Sequence, residues 1–265
     1  MNRSFPLEFF YQLAALFVAV IIVHAVYVAL IRPEADTFLA NQSAMMQEDP
    51  GYVPKRSPYV ILRDFEQEAC IILMFWALAI MGFKGVSALK ERQLFKLDLA
   101  PKAEGARILP QDAREYQRQL QSLRPSEQVR LLPRTLAAAL HRFSVTGNIQ
   151  DASDTAHSLC EAASDRLESE LSMVRYISWA IPSIGFIGTV RGIGEALGQA
   201  HKAVEGNIEG VTRSLGIAFN STLVALLISI FLMFLLHQLQ LHQERLVMDA
   251  EAYLDEHLID HLQVG

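Results

Sequence analysis

Four long apolar runs are the feature that most limits how this chain of 265 residues can fold. A helix that crosses the hydrocarbon core of a bilayer needs about 20 mostly apolar residues. The runs occupy residues 13–31, 69–84, 176–197 and 215–236, and the flanks of the short second run can extend it. Four such runs in so short a chain are hard to bury inside a soluble protein. The sequence therefore predicts an all-α integral membrane protein with four transmembrane helices.

The first run, residues 13–31, also invites interpretation as a cleaved signal peptide. It is too long for a typical signal-peptide core, and no small-x-small cleavage site follows it closely. We therefore expect a membrane anchor that remains in the protein.

Basic residues predict the orientation, because Lys and Arg are enriched on the cytoplasmic side. They follow the second run and precede the third, at Lys84, Lys90, Arg92, Lys96, Lys102, Arg166 and Arg175. Residues 1–12, 85–175 and 237–265 are accordingly expected in the cytoplasm, and residues 32–68 and 198–214 on the other side.

The segments between the runs differ in their helix signals. Residues 32–68 contain four prolines, which predict a loop with short helical pieces. Pro133 is expected to bend or break a helix, and Gly147-Asn148 to form a turn. No helix-breaking residue occurs between Asp151 and Pro182, and Asp151 or Ser153 is expected to cap this helix at its N-terminus. We therefore expect helices 2, 3 and 4 to extend into a helical cytoplasmic domain, helix 3 without interruption.

No motif in the chain predicts an enzyme, and the sequence indicates no resident metal or cofactor. Gly192, Gly194 and Gly198 have G-x-G-x-x-x-G spacing, which is not the dinucleotide fingerprint. His257 and His261 are four residues apart, which favours a solvated helix face over a metal site. The net charge of −6 argues against direct nucleic-acid binding. His24 interrupts the first run, and pairing with a neighbouring helix and a proton relay both stay open.

Small residues form stripes on the third and fourth runs. Gly188 and Gly192 are four apart, as are Gly194 and Gly198, and Gly185, Thr189 and Gly192 share a helix face. On the fourth run the stripe is Ala218, Thr222, Ala225 and Ser229. Such stripes let membrane helices approach closely. They also suit the wall of a narrow pore, and both interpretations remain open at this point.

Two threonines in these stripes are expected at the same depth. Thr189 precedes the outer end of the third run by eight residues, and Thr222 follows the outer start of the fourth by seven. At a rise of 1.5 Å per residue, both lie roughly 10–12 Å below the outer surface. The two hydroxyls then form one polar layer, which becomes a ring in a symmetric oligomer.

The third run, "PSIGFIGTVRGI", resembles the third-helix motif of the MotA/TolQ/ExbB proton-channel family, and "GIAFNSTLVALLIS" resembles its next helix. The resemblance covers roughly residues 175–240, and four segments match the MotA-like layout. It implies a homopentamer around a dimer of a single-span MotB/TolR/ExbD-like partner, whose aspartate carries H⁺ or Na⁺. The resemblance implies that Thr189 and Thr222 form a polar ring along an ion path, with a kink at Pro182 and close packing at Gly185, Gly188 and Gly192, in the bacterial inner membrane. The small stripe adds Ala218 and Ala225 to the predicted ion path, and Asn220, an unusual residue in its helix, is expected to extend the polar layer.

The chain also departs from the family pattern. Ile217 stands where ExbB-like members carry a glutamate, and Arg191 where an aromatic residue is common. Arg191 is expected to pair with Glu195 at i,i+4 or to act at the pore mouth. The runs contain no central acid, so a proton carrier must come from another chain. The resemblance thus predicts an ion-channel and stator subunit of a proton-motive-force-driven motor, with a non-conducting membrane scaffold as the alternative.

Overall fold

The computed structural model describes residues 4–48, 52–53, 55–97, 99 and 107–264, with the side chains of residues 4–7 left aside. The described residues form helices joined by turns, with one isolated parallel bridge between Ile108 and Leu262. The predicted all-α class is therefore confirmed. The chain divides into two compact units, one of residues 1–82 and 173–236 and the other of residues 83–172 and 237–265.

Thirteen helical elements lie within the described residues. In chain order they are α1 Ser4–Val26, a π-helical turn Tyr27–Ile31, α2 Arg32–Glu48, α3 Pro58–Ile61, α4 Phe65–Leu94, α5 Ala113–Gln121, α6 Pro125–Gln128, α7 Leu131–Thr146, α8 Ile149–Glu170, α9 Ser172–Gly198, α10 Ala200–Val204, α11 Glu209–His257 and a 3₁₀ turn Ile259–His261.

Within the described residues, three helical stretches are long and apolar enough to cross a membrane: Glu8–Glu48, Phe65–Leu94 and Glu209–His261. They contain the first, second and fourth predicted segments. The third predicted segment lies in α9, which is helical and contains Pro182, and is not one of these three stretches. Trp179 and Phe186 nevertheless expose most of their surface on α9. The count of four membrane helices stays a prediction.

The prediction of a loop directly after the first membrane segment is wrong for residues 32–48, which form α2. Pro33 is the second residue of this helix and has no N–H to donate. The π-helical turn before it is wider than an α-turn, and the Arg32 N–H bonds to the Tyr27 carbonyl. A wide turn of this kind lets a helix continue past a residue that disturbs its ladder. Pro50 and Pro54 lie outside the described residues.

The helix expected from Asp151 to Pro182 is interrupted. α8 ends at Glu170, and α9 begins at Ser172 after the fully buried Leu171. The Leu171 N–H bonds to the Glu168 carbonyl three residues back, which tightens the last turn. No proline or glycine marks this interruption, so the sequence pattern did not indicate it.

The start of α8 is capped one turn earlier than expected. The Asn148 side chain accepts a hydrogen bond of 2.9 Å from the Gln150 N–H, whereas Asp151 and Ser153 lie inside the helix. The predicted turn at Gly147-Asn148 is present, and Gly147 ends α7 with a positive φ of 63°. Pro133 lies in the first turn of α7, where its missing N–H has no intrahelical partner to lose.

The second unit has its own hydrophobic core. α7 and α8 pack against each other, and the end of α11 adds apolar side chains to the same cluster. Its fully buried members include Leu132, Leu136, Phe143, Cys160, Leu254 and Leu258. These side chains form one contiguous core within the second unit.

A buried ion pair joins α4 to α8 in the second unit. Lys84 exposes only 4% of its side chain, and its Nζ lies 2.7 Å from Glu170 Oε2. Arg166 donates to the other Glu170 oxygen at 2.8 Å. Burial raises the pKa of the Glu170 carboxyl, but the hydrogen bonds from Lys84 and Arg166 outweigh it and hold the pKa below its usual range.

Removing the Lys84 ammonium should therefore destabilise the protein. We expect Lys84→Ala to lower the free energy of unfolding by about 1.5–3 kcal/mol, since a buried carboxylate loses a charged donor. Circular dichroism during denaturation in detergent measures this, and Lys90→Ala, at an exposed position of α4, is the control.

The same pair predicts a pH dependence. Because the Glu170 pKa is lowered by folding, its contribution is present at neutral pH and is lost as the pH falls through the acidic range. Lys84→Ala should flatten this part of the stability curve. If the Lys84→Ala variant is as stable as Lys90→Ala and loses stability at acidic pH as the wild type does, the ion pair does not have this role.

Candidate functional site

α9 and α11 pack together through residues that lack large side chains. A Cβ atom at Gly192 would stand 2.7 Å from the Ser214 carbonyl oxygen and 2.8 Å from the Ala218 Cβ. At Gly188 it would stand 2.6 Å from the Ser221 Cβ, and at Gly185 it would collide with the Ala225 Cβ. These distances are shorter than van der Waals contact, so each of the three glycines permits the close approach of the helices.

The facing residues of α11 are the predicted small stripe. Ala218 and Ala225 have no exposed surface, because they lie against the glycines of α9 in the same chain. This placement differs from the predicted ion path, in which both alanines face a pore. Within one chain, helix packing accounts for the two alanines.

The second glycine pair lies elsewhere. No heavy atom of another part of the described chain lies within 4 Å of a Cβ built at Gly194 or Gly198. The four-residue spacing alone therefore did not identify which pair packs.

Thr189 and Thr222 meet in the middle of this packed interface. Their hydroxyls are hydrogen-bonded to each other. Thr222 Oγ1 also donates to the Gly185 carbonyl at 3.1 Å, and Thr189 Oγ1 lies 3.2 Å from the Ala218 carbonyl. Both threonines are only half-buried. The structure thus joins the two hydroxyls that the depth argument assigned to one layer, and leaves part of each open to a group outside the chain.

Pro182 leaves a backbone carbonyl without its usual donor, and α11 supplies a replacement. In an α-helix the carbonyl of residue 178 would accept the N–H of residue 182, which a proline lacks. Ser229 Oγ donates to the Ser178 carbonyl instead, at 3.1 Å. Ser229 is buried, so this bond satisfies both groups inside the interface.

Asn220 is half-buried on α11, two residues before Thr222. Two residues correspond to about 200° around a helix, so Asn220 faces away from the threonine pair. Its predicted contribution to the same polar layer is therefore not made within this chain.

Arg191 makes the strongest ion pair of α9, with a residue that the sequence did not single out. Its guanidinium lies 2.7 Å and 3.0 Å from the two carboxylate oxygens of Glu66, in the first turn of α4. The expected i,i+4 pair with Glu195 is also present, at 2.9 Å. Glu66 exposes 11% of its side chain, and Glu195 exposes 42%. No sequence pattern links residues 66 and 191, because only the fold brings these helices together.

His24 pairs with a neighbouring helix. Its Nδ1 lies 2.7 Å from one oxygen of Glu68, and Arg32 donates to the other oxygen at 2.5 Å. Glu68 exposes only 8% of its side chain, so it is a buried carboxylate with two basic partners. Glu66 and Glu68 were assigned to a loop, but both lie inside α4 and within its candidate membrane span.

The arrangement limits what these residues can do chemically. Threonine hydroxyls donate and accept hydrogen bonds but do not titrate near neutral pH. Among the described residues, no carboxylate is hydrogen-bonded to Thr189 or Thr222. The pair can therefore orient a proton carrier or a hydrated ion, and cannot itself store the proton.

Residues 127–252 match the family model described as the MotA/TolQ/ExbB proton channel family. The match includes α7, α8, α9, the end of α6 and α11 as far as residue 252. It therefore extends beyond the stretch of residues 175–240 whose motifs carried the resemblance. The chain has no significant match among curated proteins or solved structures. α1 to α4 lie outside the matched range.

A methyl group at a packed glycine should separate the two helices. We expect Gly192→Ala to lower the unfolding free energy by about 1–3 kcal/mol, because the Ser214 backbone carbonyl cannot move aside easily. The matched control is Gly194→Ala on the same helix, which meets open space and should be neutral or stabilising by up to about 1 kcal/mol. Thermal unfolding in detergent compares them, and equal effects would contradict the packing assignment.

The Arg191–Glu66 pair should show energetic coupling. Arg191→Gln and Glu66→Gln are each expected to destabilise the protein, and the double variant by less than their sum, with a coupling of about 0.5–3 kcal/mol. The Arg191–Glu195 cycle is the internal comparison, with about 0.3–0.5 kcal/mol expected for an exposed helix pair. A Glu66 coupling no larger than that of Glu195 would remove Glu66 as the principal partner.

Proposed function

We propose that this chain, which carries a MotA/TolQ/ExbB proton channel family domain at residues 127–252, is an ion-channel and stator subunit of a motor driven by the proton-motive force. In this proposal it forms a homopentamer around a dimer of a single-span MotB/TolR/ExbD-like protein. Ion flow past the partner's aspartate is converted into mechanical work. The translocated ion is H⁺, with Na⁺ as the alternative, and no resident cofactor takes part.

The observation that carries this proposal is the hydroxyl pair of Thr189 and Thr222. It is a polar layer in an interface otherwise built from glycine, alanine and serine. Both hydroxyls already accept or donate within the chain, yet each residue keeps part of its surface exposed. A carboxylate that approaches from outside accepts a hydroxyl proton at this layer by replacing one of these bonds within the chain.

The proposal needs a partner because the chain's own acids near this site are engaged. Glu66 is held by Arg191, and Glu68 by Arg32 and His24. Each of these carboxylates already accepts a hydrogen bond from a guanidinium, so neither is available to the threonine hydroxyls. An aspartate supplied by a single-span partner resolves this, since it can be neutral in the membrane and charged when it meets the polar layer.

Exposed apolar surface supports an oligomer in a membrane. Phe186 and Val190 on α9, and Phe219 and Leu223 on α11, each expose about half of their side chains or more. Surfaces of this kind contact lipid or a neighbouring protein. We propose that subunits of the pentamer and lipid share them, in the bacterial inner membrane with both termini in the cytoplasm.

The alternative function is a non-conducting membrane scaffold or assembly protein. The burial of Ala218 and Ala225 favours it, because the small-residue stripe then has a complete explanation in the packing of one chain. The two functions differ in whether the threonine hydroxyls are needed for ion flux.

Replacing the threonine hydroxyls with methyl groups distinguishes an ion channel from a non-conducting scaffold. The tagged chain is purified with its native partner and reconstituted into liposomes that contain a pH-sensitive dye. We expect Thr189→Val and Thr222→Val each to lower proton flux by roughly tenfold, the effect of about 1.4 kcal/mol on a barrier. Thr189→Ser and Thr222→Ser keep the hydroxyl and should retain most of the flux.

The control for this experiment is that each variant still assembles with its partner. Native mass spectrometry on the same samples measures the ratio of this chain to the partner. Flux that survives both valine changes in an intact complex contradicts the ion path. A wild-type complex with no flux above empty liposomes, under an applied potential, favours the scaffold.

A further inference from the structure

A groove in the second unit lies between the last three turns of α4 and the part of α11 that follows Leu236. It has a volume of about 170 Å³. Its lining is Gly85, Ala88, Leu89 and Arg92 on α4, with Leu239, His242, Arg245, Leu246 and Asp249 on α11. The proposed ion path does not use any of these residues.

The groove changes from apolar to basic along its length. On α4, Gly85, Ala88 and Leu89 precede Arg92, and on α11 Leu239 precedes His242 and Arg245. The apolar ends follow directly after the second and fourth predicted membrane segments, which end at residues 84 and 236. On both helices the lining residues next to the predicted membrane segment are apolar and the residues that follow are basic, as in a phospholipid whose acyl chains lie in the membrane. On α11, Leu246 and Asp249 lie beyond these cations.

The outer face of α4 indicates where the apolar layer ends. Val86 exposes 51% and Leu89 exposes 59% of their surface, and both lie beyond the predicted end of the segment. Arg92 comes three residues after Leu89, about 4.5 Å farther along the helix axis. A cation at this distance from the last exposed apolar residue lies at the level of lipid headgroups, which add about 5–7 Å on each side of the hydrocarbon core.

The cations of the groove are not neutralised by the described chain. Arg92 and Arg245 are exposed, and no hydrogen bond or ion pair joins either of them to another described residue. The acid of the groove, Asp249, follows Arg245 by one turn and lies at the end farthest from the predicted membrane segments. Two guanidinium groups thus line one small groove, and Arg recognises phosphate through paired donors.

We propose that this groove binds one anionic phospholipid of the cytoplasmic leaflet. Arg92 and Arg245 bind its phosphate, and His242 adds a third hydrogen-bond donor. Leu89 and Leu239 contact the first part of an acyl chain. The volume suits the headgroup and proximal chain rather than a whole lipid, since sites that enclose a drug-sized ligand occupy about 300–1,000 Å³. The assignment of the leaflet rests on the orientation in the proposed function.

Lipid binding by the complete complex tests this proposal without any measurement of ion flux. The complex in mild detergent is titrated with phosphatidylglycerol, with phosphatidylcholine and with inorganic phosphate, and bound lipid is counted by native mass spectrometry. We expect one saturable phosphatidylglycerol site per subunit and no equivalent site for phosphatidylcholine. Inorganic phosphate at millimolar concentration should not displace the lipid.

Variants locate the site. Arg92→Gln and Arg245→Gln should each weaken phosphatidylglycerol binding about fivefold, and together about thirtyfold, since each basic residue near an anionic surface contributes one such factor. Arg134→Gln, at an exposed position of α7, is the matched control and should change nothing.

Gly85→Leu tests the apolar end of the groove. A Cβ at Gly85 would meet only Leu239 Cδ1 at 3.9 Å, so the larger side chain enters the groove without a backbone collision. It should reduce binding while both arginines remain.

Three results would overturn the proposal. If phosphatidylcholine and phosphatidylglycerol bind equally, the site does not select an anionic headgroup. If inorganic phosphate displaces the lipid, the groove binds a free anion and not a phospholipid. Loss of binding in Arg134→Gln equal to that in Arg92→Gln assigns the effect to overall charge. Lipid binding that persists in a complex without proton flux keeps this inference and rejects the proposed function, so the two failures are distinguishable.

Discussion

The close contact of α9 with α11 depends on the absence of a Cβ atom at three glycines of α9. At Gly185, Gly188 and Gly192, the neighbouring helix occupies the space where a Cβ atom would stand. In lipid there is little hydrophobic gain from bringing two helices together, so close packing and hydrogen bonds between helices must stabilise the pair. The short separation puts the Thr189 and Thr222 hydroxyls within reach of each other and of two backbone carbonyls. The polar layer is therefore a consequence of the packing.

Charge is balanced within the first unit by pairs that cross between helices. Glu66 and Glu68, two residues apart on α4, face different partners: Arg191 on α9 for the first, and His24 with Arg32 for the second. Each buried carboxylate is matched by a guanidinium, which offsets much of the cost of removing the charge from water. The α4 helix is thereby held on two sides, and the interface of α9 with α11 keeps no unpaired acid of its own among the described residues.

The sequence was sufficient for features that follow helical periodicity. The small stripes, the shared level of Thr189 and Thr222 and the helical class all follow from residue spacing along each helix, which a sequence shows directly. The sequence was not sufficient for features that depend on contacts between residues far apart in the chain. The Glu66 partner of Arg191 is 125 residues away, and Ala218 and Ala225 fit either a pore or a packed interface until their neighbours are known. The π-helical turn before Pro33 and the interruption at Leu171 depend on local backbone geometry that residue types do not specify.

Pro182 has a mechanical consequence. A helix turn that lacks one bond of its ladder is more compliant than its neighbours, and it would ordinarily bend independently. Here the missing bond is replaced by the hydroxyl of Ser229 on α11. Bending of α9 at this turn therefore stretches a bond to a second helix, and rotation of that helix pulls on the turn. Proline and serine together make a hinge whose motion belongs to the helix pair rather than to either helix alone.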